Sequence, residues 1–209
     1  ETMNPDVESE QLDFLNSRHF QIWAVGLGHR DSCLAQPDVE VLYAAGPNET
    51  HELNLLSRVA QWIDVREPDI LLTYNGLQFD LRHLHGRAHI AGDLAENREP
   101  YHQLHATLAR PWHLDLLAEV EARKGYRMSF EEAVAEYCGR SVPDSTYDGE
   151  VLTGADMPEI GEILMCAAAG LRDEPEGLRD AVEAYVATDV SPLFSLYDEI
   201  RGNPVEYVR

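Results

Sequence analysis

Two short acidic patterns, far apart in the chain, carry the side chains for metal-assisted hydrolysis. Asn75-Gly76-Leu77-Gln78-Phe79-Asp80 follows an apolar stretch, and Tyr185-Val186-Ala187-Thr188-Asp189 lies near the C-terminus. A third carboxylate, Glu1, stands at the start before Thr2. Carboxylates gathered from three separate segments are the hard oxygen donors that Mg2+ or Mn2+ prefers. A phenol hydroxyl both donates and accepts, so Tyr185, one helical turn before Asp189, could orient an attacking water beside a metal-bound carboxylate. The chemistry this suggests is hydrolysis of a phosphodiester.

The elements that must position these groups follow from apolar periodicity and turn residues. Residues 19–28 (HFQIWAVGLG) and 39–45 (VEVLYAA) read as strands. Asn48 is placed to cap a helix running to Arg66, with Leu53, Leu56, Val59, Ala60 and Ile63 on one face. Pro68 ends it, and residues 70–74 form a short core strand. A helix is predicted over 77–90, so that Asp80 falls in its first turn, where the helix dipole favours a carboxylate. That explains Asp80 alone, but not why Tyr74, Asn75, Gly76, Phe79 and Asp80 occur together after a core strand. Residues 92–111, with Pro100 and Pro111, read as a long loop, and residues 113–117 as another strand. Ser129-Phe130-Glu131-Glu132 has the form of a capping box for a helix ending near Gly139. Residues 144–150 read as loop, 157–169 as helix, and 178–201 as a last helix that Pro192 should bend or break. The order, strands early and helices late, predicts one α/β domain with a mixed central sheet covered by helices.

Composition narrows the function classes. The chain has 209 residues, 44% of them hydrophobic, enough for a sizeable core and too apolar for disorder. No apolar run reaches the roughly 20 residues a bilayer span requires, so no membrane role is expected. Cys33, Cys138 and Cys166 are widely spaced and outline neither a disulfide framework nor a zinc knuckle, which fits reduced thiols and a cytoplasmic location. Acidic residues number 38 against 16 basic ones, Lys124 is the single lysine, and the net charge is -22. A dense carboxylate surface with little lysine fits a protein from a high-salt cytoplasm. There the Debye length falls to about 3 Å, and a polyanionic partner is no longer repelled.

The two patterns together resemble the 3′–5′ exonuclease domain of family B DNA polymerases. More broadly they resemble the tyrosine-containing branch of the DEDD exonuclease superfamily, on a ribonuclease-H-like fold. The second motif of that family is Asn, three residues, Phe or Tyr, then Asp, and here it is Asn75 to Asp80. The third is Tyr, three residues, Asp, and here it is Tyr185 and Asp189. The first is Asp-x-Glu, and Glu1-Thr2 matches only its second half. The strand before it and its Asp would be missing, so the expectation is a truncated domain over residues 1–209. The resemblance implies that Glu1, Asp80 and Asp189 ligate two Mg2+ or Mn2+ ions and that Tyr185 orients the water. It implies that Asn75 and Phe79 shape the site or touch terminal nucleotides. The implied substrate is the 3′ end of single-stranded DNA, with RNA less favoured. The alternative is a catalytically degenerate module that binds nucleic acid or a protein.

Other residues are expected to be bystanders. His83, His85 and His89, with His102 and His105, lack a zinc pattern and read as surface histidines. Asp115 reads as an ordinary strand residue, with a role at the rim of the site or behind its ligands as the less favoured alternative. Trp23, Trp62 and Trp112 read as packing residues, with stacking on a base as the alternative for Trp112 in its loop.

Overall fold

The computed structural model describes Thr2, Met3, Asp13 and residues 15–202. Glu1 lies outside the described residues. Among the described residues the architecture is mixed α/β: short strands lead into seven helices. The strands are β1 (Thr2–Met3), β2 (Phe20–Gln21), β3 (Ala24–His29), β4 (Asp38–Tyr43), β5 (Ile70–Thr73), β6 (Trp112–Asp115), β7 (Thr146–Tyr147) and β8 (Glu150–Val151). The helices are α1 (Glu49–Arg66), α2 (Asp80–Leu94), α3 (Glu99–Leu108), α4 (Leu116–Lys124), α5 (Phe130–Cys138), α6 (Met157–Ala168) and α7 (Leu178–Gly202). No helix among the described residues is long and apolar enough to cross a membrane.

The expected central sheet is not continuous among the described residues. The strands pair as four separate ladders: β1 with β2, β3 with β4 and β7 with β8 antiparallel, and β5 with β6 parallel. Helix α7 joins two of them, packing against β3, β4 and β5. Glycines permit that approach. Gly26 and Gly28, two apart on one face of β3, lie under Val186, Val190 and Phe194, which recur every fourth residue along α7. A Cβ on Gly26 would overlap Val186, and one on Gly28 would come 2.6 Å from Val190 and 2.8 Å from Phe194.

The main core forms where α1 meets α2, α3 and the β3–β4 hairpin. Leu56, Val59 and Ala60 of α1 are wholly buried, beside Leu104, Leu164 and Val182. Each buried Leu or Val stabilises the fold by about 1.5–3 kcal/mol. A second core gathers Leu116 and Val120 of α4, Ala133 of α5, and Leu196 and Ile200 of α7. An ion pair is buried inside: Arg87 of α2 binds both oxygens of Glu52 on α1, at 2.9 and 2.6 Å. Glu52 also accepts from the Ile22 N–H at 2.8 Å, so its charge is fully hydrogen-bonded.

Several expected elements need correction. Residues 92–111 hold a helix, α3, because Pro100 sits in its first turn, where a missing N–H costs nothing, and Leu104, Thr107 and Leu108 face the core. Helix α4 starts directly after Asp115, whose carboxylate caps it. The predicted strand over 19–28 divides into a 3-10 turn (Ser17–His19), β2 and β3. Helix α2 begins at Asp80 and not at residue 77. The loop over 144–150 contains a tight hairpin, with Asp148 and Gly149 at φ 50° and 84°. Pro192 lies inside α7 without ending it.

Candidate active site

The second motif is a tight turn between β5 and α2. Asn75 adopts φ 67°, in the left-handed region. Gly76 follows, buried, where any Cβ would strike the Thr73 side chain. The Asn75 carbonyl accepts from the Phe79 N–H at 3.1 Å, and the Gly76 carbonyl from the Leu81 N–H at 2.8 Å, which leads the chain into α2. Asp80 thus becomes the first residue of that helix.

The group that holds this turn is Asp115. Its carboxylate accepts from the Asn75 N–H at 2.7 Å, the Leu77 N–H at 3.2 Å and the Leu117 N–H at 3.2 Å. One side chain therefore pins the turn carrying Asp80 and caps α4. Sequence reasoning left it aside because its partners lie about forty residues upstream. The parallel register supplies the link by placing Thr73 opposite Asp115. Thr73 and His113 add a 2.8 Å hydrogen bond across the same pair of strands.

Phe79 anchors α2. Its ring meets His83 edge-on at 4.8 Å, and His83 meets Phe20 at 5.3 Å. His83 is 1% exposed and hydrogen-bonded to Ser17 at 3.1 Å, so it is not the surface histidine that the sequence suggested. His85 is half-buried against His105, and burial lowers its pKa. Trp112 is exposed and does not pack in the core, whereas Trp23 does.

Tyr185 and Asp189 lie one turn apart on α7, placed by the glycine contact at β3. Burial is the largest cause raising the Asp189 pKa, which reaches about 6, and the negative charges of Glu131 and Asp80 add to it. Asp80 keeps an exposed surface while protein crowds its carboxyl. Its pKa too is raised, by desolvation first and then by Asp115. Asp80 and Asp189, from α2 and α7, therefore lie close enough to feel each other's charge. The Tyr185 pKa is raised by burial and by Asp189, Glu131 and Asp156, so the phenol keeps its proton at neutral pH. The loop at Gly154 borders that hydroxyl, for a Cβ there would stand 3.8 Å from it.

Glu131, in the first turn of α5, is a further carboxylate facing Asp189 and Tyr185, read from the sequence only as part of a capping box. The box itself forms: Ser129 and Glu132 cap each other. Tyr74 closes this side by donating to the Met128 and Ser129 carbonyls, and burial pushes its pKa up to about 12.

The donor chemistry fits a hard divalent cation. Two carboxylates whose ionisation is opposed by burial and by neighbouring negative charges would gain from a positive charge between them. Among the described residues no group of three or more His, Cys, Asp or Glu side chains is arranged to hold a metal ion. Asp80 and Asp189 are the pair that the structure brings within electrostatic range, and Glu1 is not among the described residues.

Residues 29–99 match the family model for the exonuclease domain of DNA polymerase family B. The matched span covers about a third of the chain and includes the Asn75 to Asp80 motif, while Tyr185 and Asp189 lie beyond it. No curated protein and no solved structure gave a match. The similarity supports an exonuclease domain of the polymerase B type and, more generally, a nuclease.

Proposed function

We propose that the chain is a metal-dependent 3′–5′ exonuclease, of the tyrosine-containing type, acting on single-stranded 3′ ends, with DNA preferred to RNA. The fold in this reading is ribonuclease-H-like, and the dense acidic surface suits a salt-rich cytoplasm. The observation that carries the reading is the convergence of Asp80 and Asp189, where the charge of Asp80 helps to raise the Asp189 pKa, with the Tyr185 phenol beside Asp189.

Asp80, Asp189 and Glu1 would hold Mg2+ or Mn2+, two ions in this reading. The bound cations would supply a water acidic enough to attack at neutral pH and charge to balance the leaving oxygen. The protein's part follows from its own groups. Asp115 fixes the turn, so that Asp80 projects from a rigid helix start. Tyr185 stays protonated, so its oxygen can accept from the attacking water while its proton is donated to a phosphate oxygen. Asn75 and Phe79 border the place where the terminal nucleotide would lie. Glu131 adds a negative charge beside Asp189 that a bound cation would offset.

The test is shortening of 3′- and 5′-labelled single-stranded DNA and RNA in high salt, with Mn2+, Mg2+ or EDTA. Asp80→Ala should abolish cleavage and leave the circular dichroism spectrum unchanged. Normal activity in that variant would refute the site. Metal-independent binding without shortening would favour the alternative, a degenerate nucleic-acid or protein-binding module.

A further inference from the structure

On the face of α7 that adjoins Tyr185 and Asp189 lies a surface pocket of about 230 Å³, between that helix and the end of α5. Its walls combine two kinds of group. Arg140, Ser141 and Ser191 offer hydrogen-bond donors, and Pro143 and Pro192 offer flat apolar surface.

Two features mark it as more than a gap between helices. The first concerns charge. In a chain of net charge -22, Arg30, Arg66, Arg87, Arg98, Arg110 and Arg179 each face a carboxylate. Arg140, like Arg58 and Arg201, is instead hydrogen-bonded to an uncharged group, the Ser195 hydroxyl at 2.8 Å, which leaves N–H groups that can meet an anion in the pocket. The second concerns the backbone. Pro192 has no N–H to give to the Thr188 carbonyl one turn earlier, and both residues line the pocket. The Thr188 hydroxyl donates to the Tyr185 carbonyl at 2.6 Å, so this residue's contribution to a ligand is as an acceptor.

A cation, hydroxyl donors, an apolar wall and an open carbonyl match the parts of one nucleotide. A phosphate suits Arg140, a sugar and base suit the proline faces, and an amino or hydroxyl hydrogen suits the Thr188 carbonyl. Thr188 and Pro192 lie three residues after Tyr185 and Asp189 on α7, so the pocket borders the helix face that carries those two residues. We propose that this pocket is the subsite for a nucleotide upstream of the bond cut, its phosphate held by Arg140 and its sugar and base seated against Pro143 and Pro192. The assignment rests on the exonuclease reading above and extends it to how the strand is gripped.

Binding can be read apart from cleavage in the Asp80→Ala background with Mg2+ present, by anisotropy of a short labelled oligodeoxyadenylate over a range of salt. Adding Arg140→Gln should weaken binding about tenfold and flatten the salt dependence by about 0.7 in log–log slope, the loss of one single-strand phosphate contact. Ser195→Ala removes the same hydrogen bond but keeps the cation, and should bind as well as its parent. With Asp80 intact, Arg140→Gln should raise KM and leave kcat. Unchanged oligonucleotide affinity in Arg140→Gln would overturn the subsite even if the wild type cuts DNA. Arg140-dependent binding without any shortening by the wild type would keep the pocket as a nucleotide-binding site and overturn the exonuclease reading. No binding by the parent, together with no shortening by the wild type, would overturn both.

Discussion

Replacing Asp189 by asparagine should stabilise the metal-free protein at neutral pH while removing its activity. In the unfolded chain Asp189 ionises near its ordinary 3.8, and in the folded chain near 6, because burial and the charges of Glu131 and Asp80 oppose its ionisation. Between those values the folded state binds more protons than the unfolded state. Stability therefore falls as pH rises through the window and stays lower above it. A difference of that size corresponds to about 3 kcal/mol if solvent were absent. Asp189 is exposed, however, and screening by water leaves about 1 kcal/mol. For a domain of this length that amounts to about 2–4 °C in Tm. Thermal melts in EDTA at pH 4 and pH 8 read it directly. Asp189→Asn should melt higher than the wild type at pH 8 and equally at pH 4. Mg2+ should raise the wild-type Tm, the more so as pH passes 6 and the proton no longer competes, and should do little for the variant. A variant that melts no higher at pH 8, or that gains the same from Mg2+, would refute both the strained carboxylate and its role as a ligand.

Asp115→Asn should keep the fold but loosen the turn, because its amide nitrogen would face the Leu77 N–H, donor against donor. A stability loss of about 1–3 kcal/mol in urea unfolding and at least a tenfold fall in cleavage are expected; full activity would show that the turn needs no such anchor. Gly26→Ala should drive Val186 and α7 away from β3, costing about 1–3 kcal/mol and disturbing Tyr185 and Asp189 on the same helix. Melting and cleavage measured together check this, and an alanine variant with unaltered stability would place the helix elsewhere.

Much of the site was legible because its residues are local patterns. Asn75, Gly76, Phe79 and Asp80 form one turn, and Tyr185 and Asp189 share one helix face, so each half could be read within a few positions. What escaped depended on distance along the chain. Asp115 acts on a turn about forty residues earlier, and only the parallel pairing of β5 with β6 brings them together. Glu131 had a sufficient local role in its capping box, which hid its approach to Asp189. His83 looked like a surface residue until Phe79, Phe20 and Ser17 closed over it. The helices with clear caps, α1 from Asn48 and α5 from Ser129, came out as expected. Helix α3 did not, because Pro100 was read as a breaker where its position makes it an initiator. The expected single sheet was an inference about pairing partners, which strand periodicity does not specify.

The glycine track on β3 also has a meaning for descent. Gly26 and Gly28 are small because Val186, Val190 and Phe194 are large, and neither set can drift alone. In relatives that keep this packing, a side chain gained on the strand should be matched by one lost on the helix, at 26 with 186 and at 28 with 190 or 194. Such paired exchanges would leave a correlated signature linking positions more than 150 residues apart, next to the tyrosine and aspartate that α7 carries.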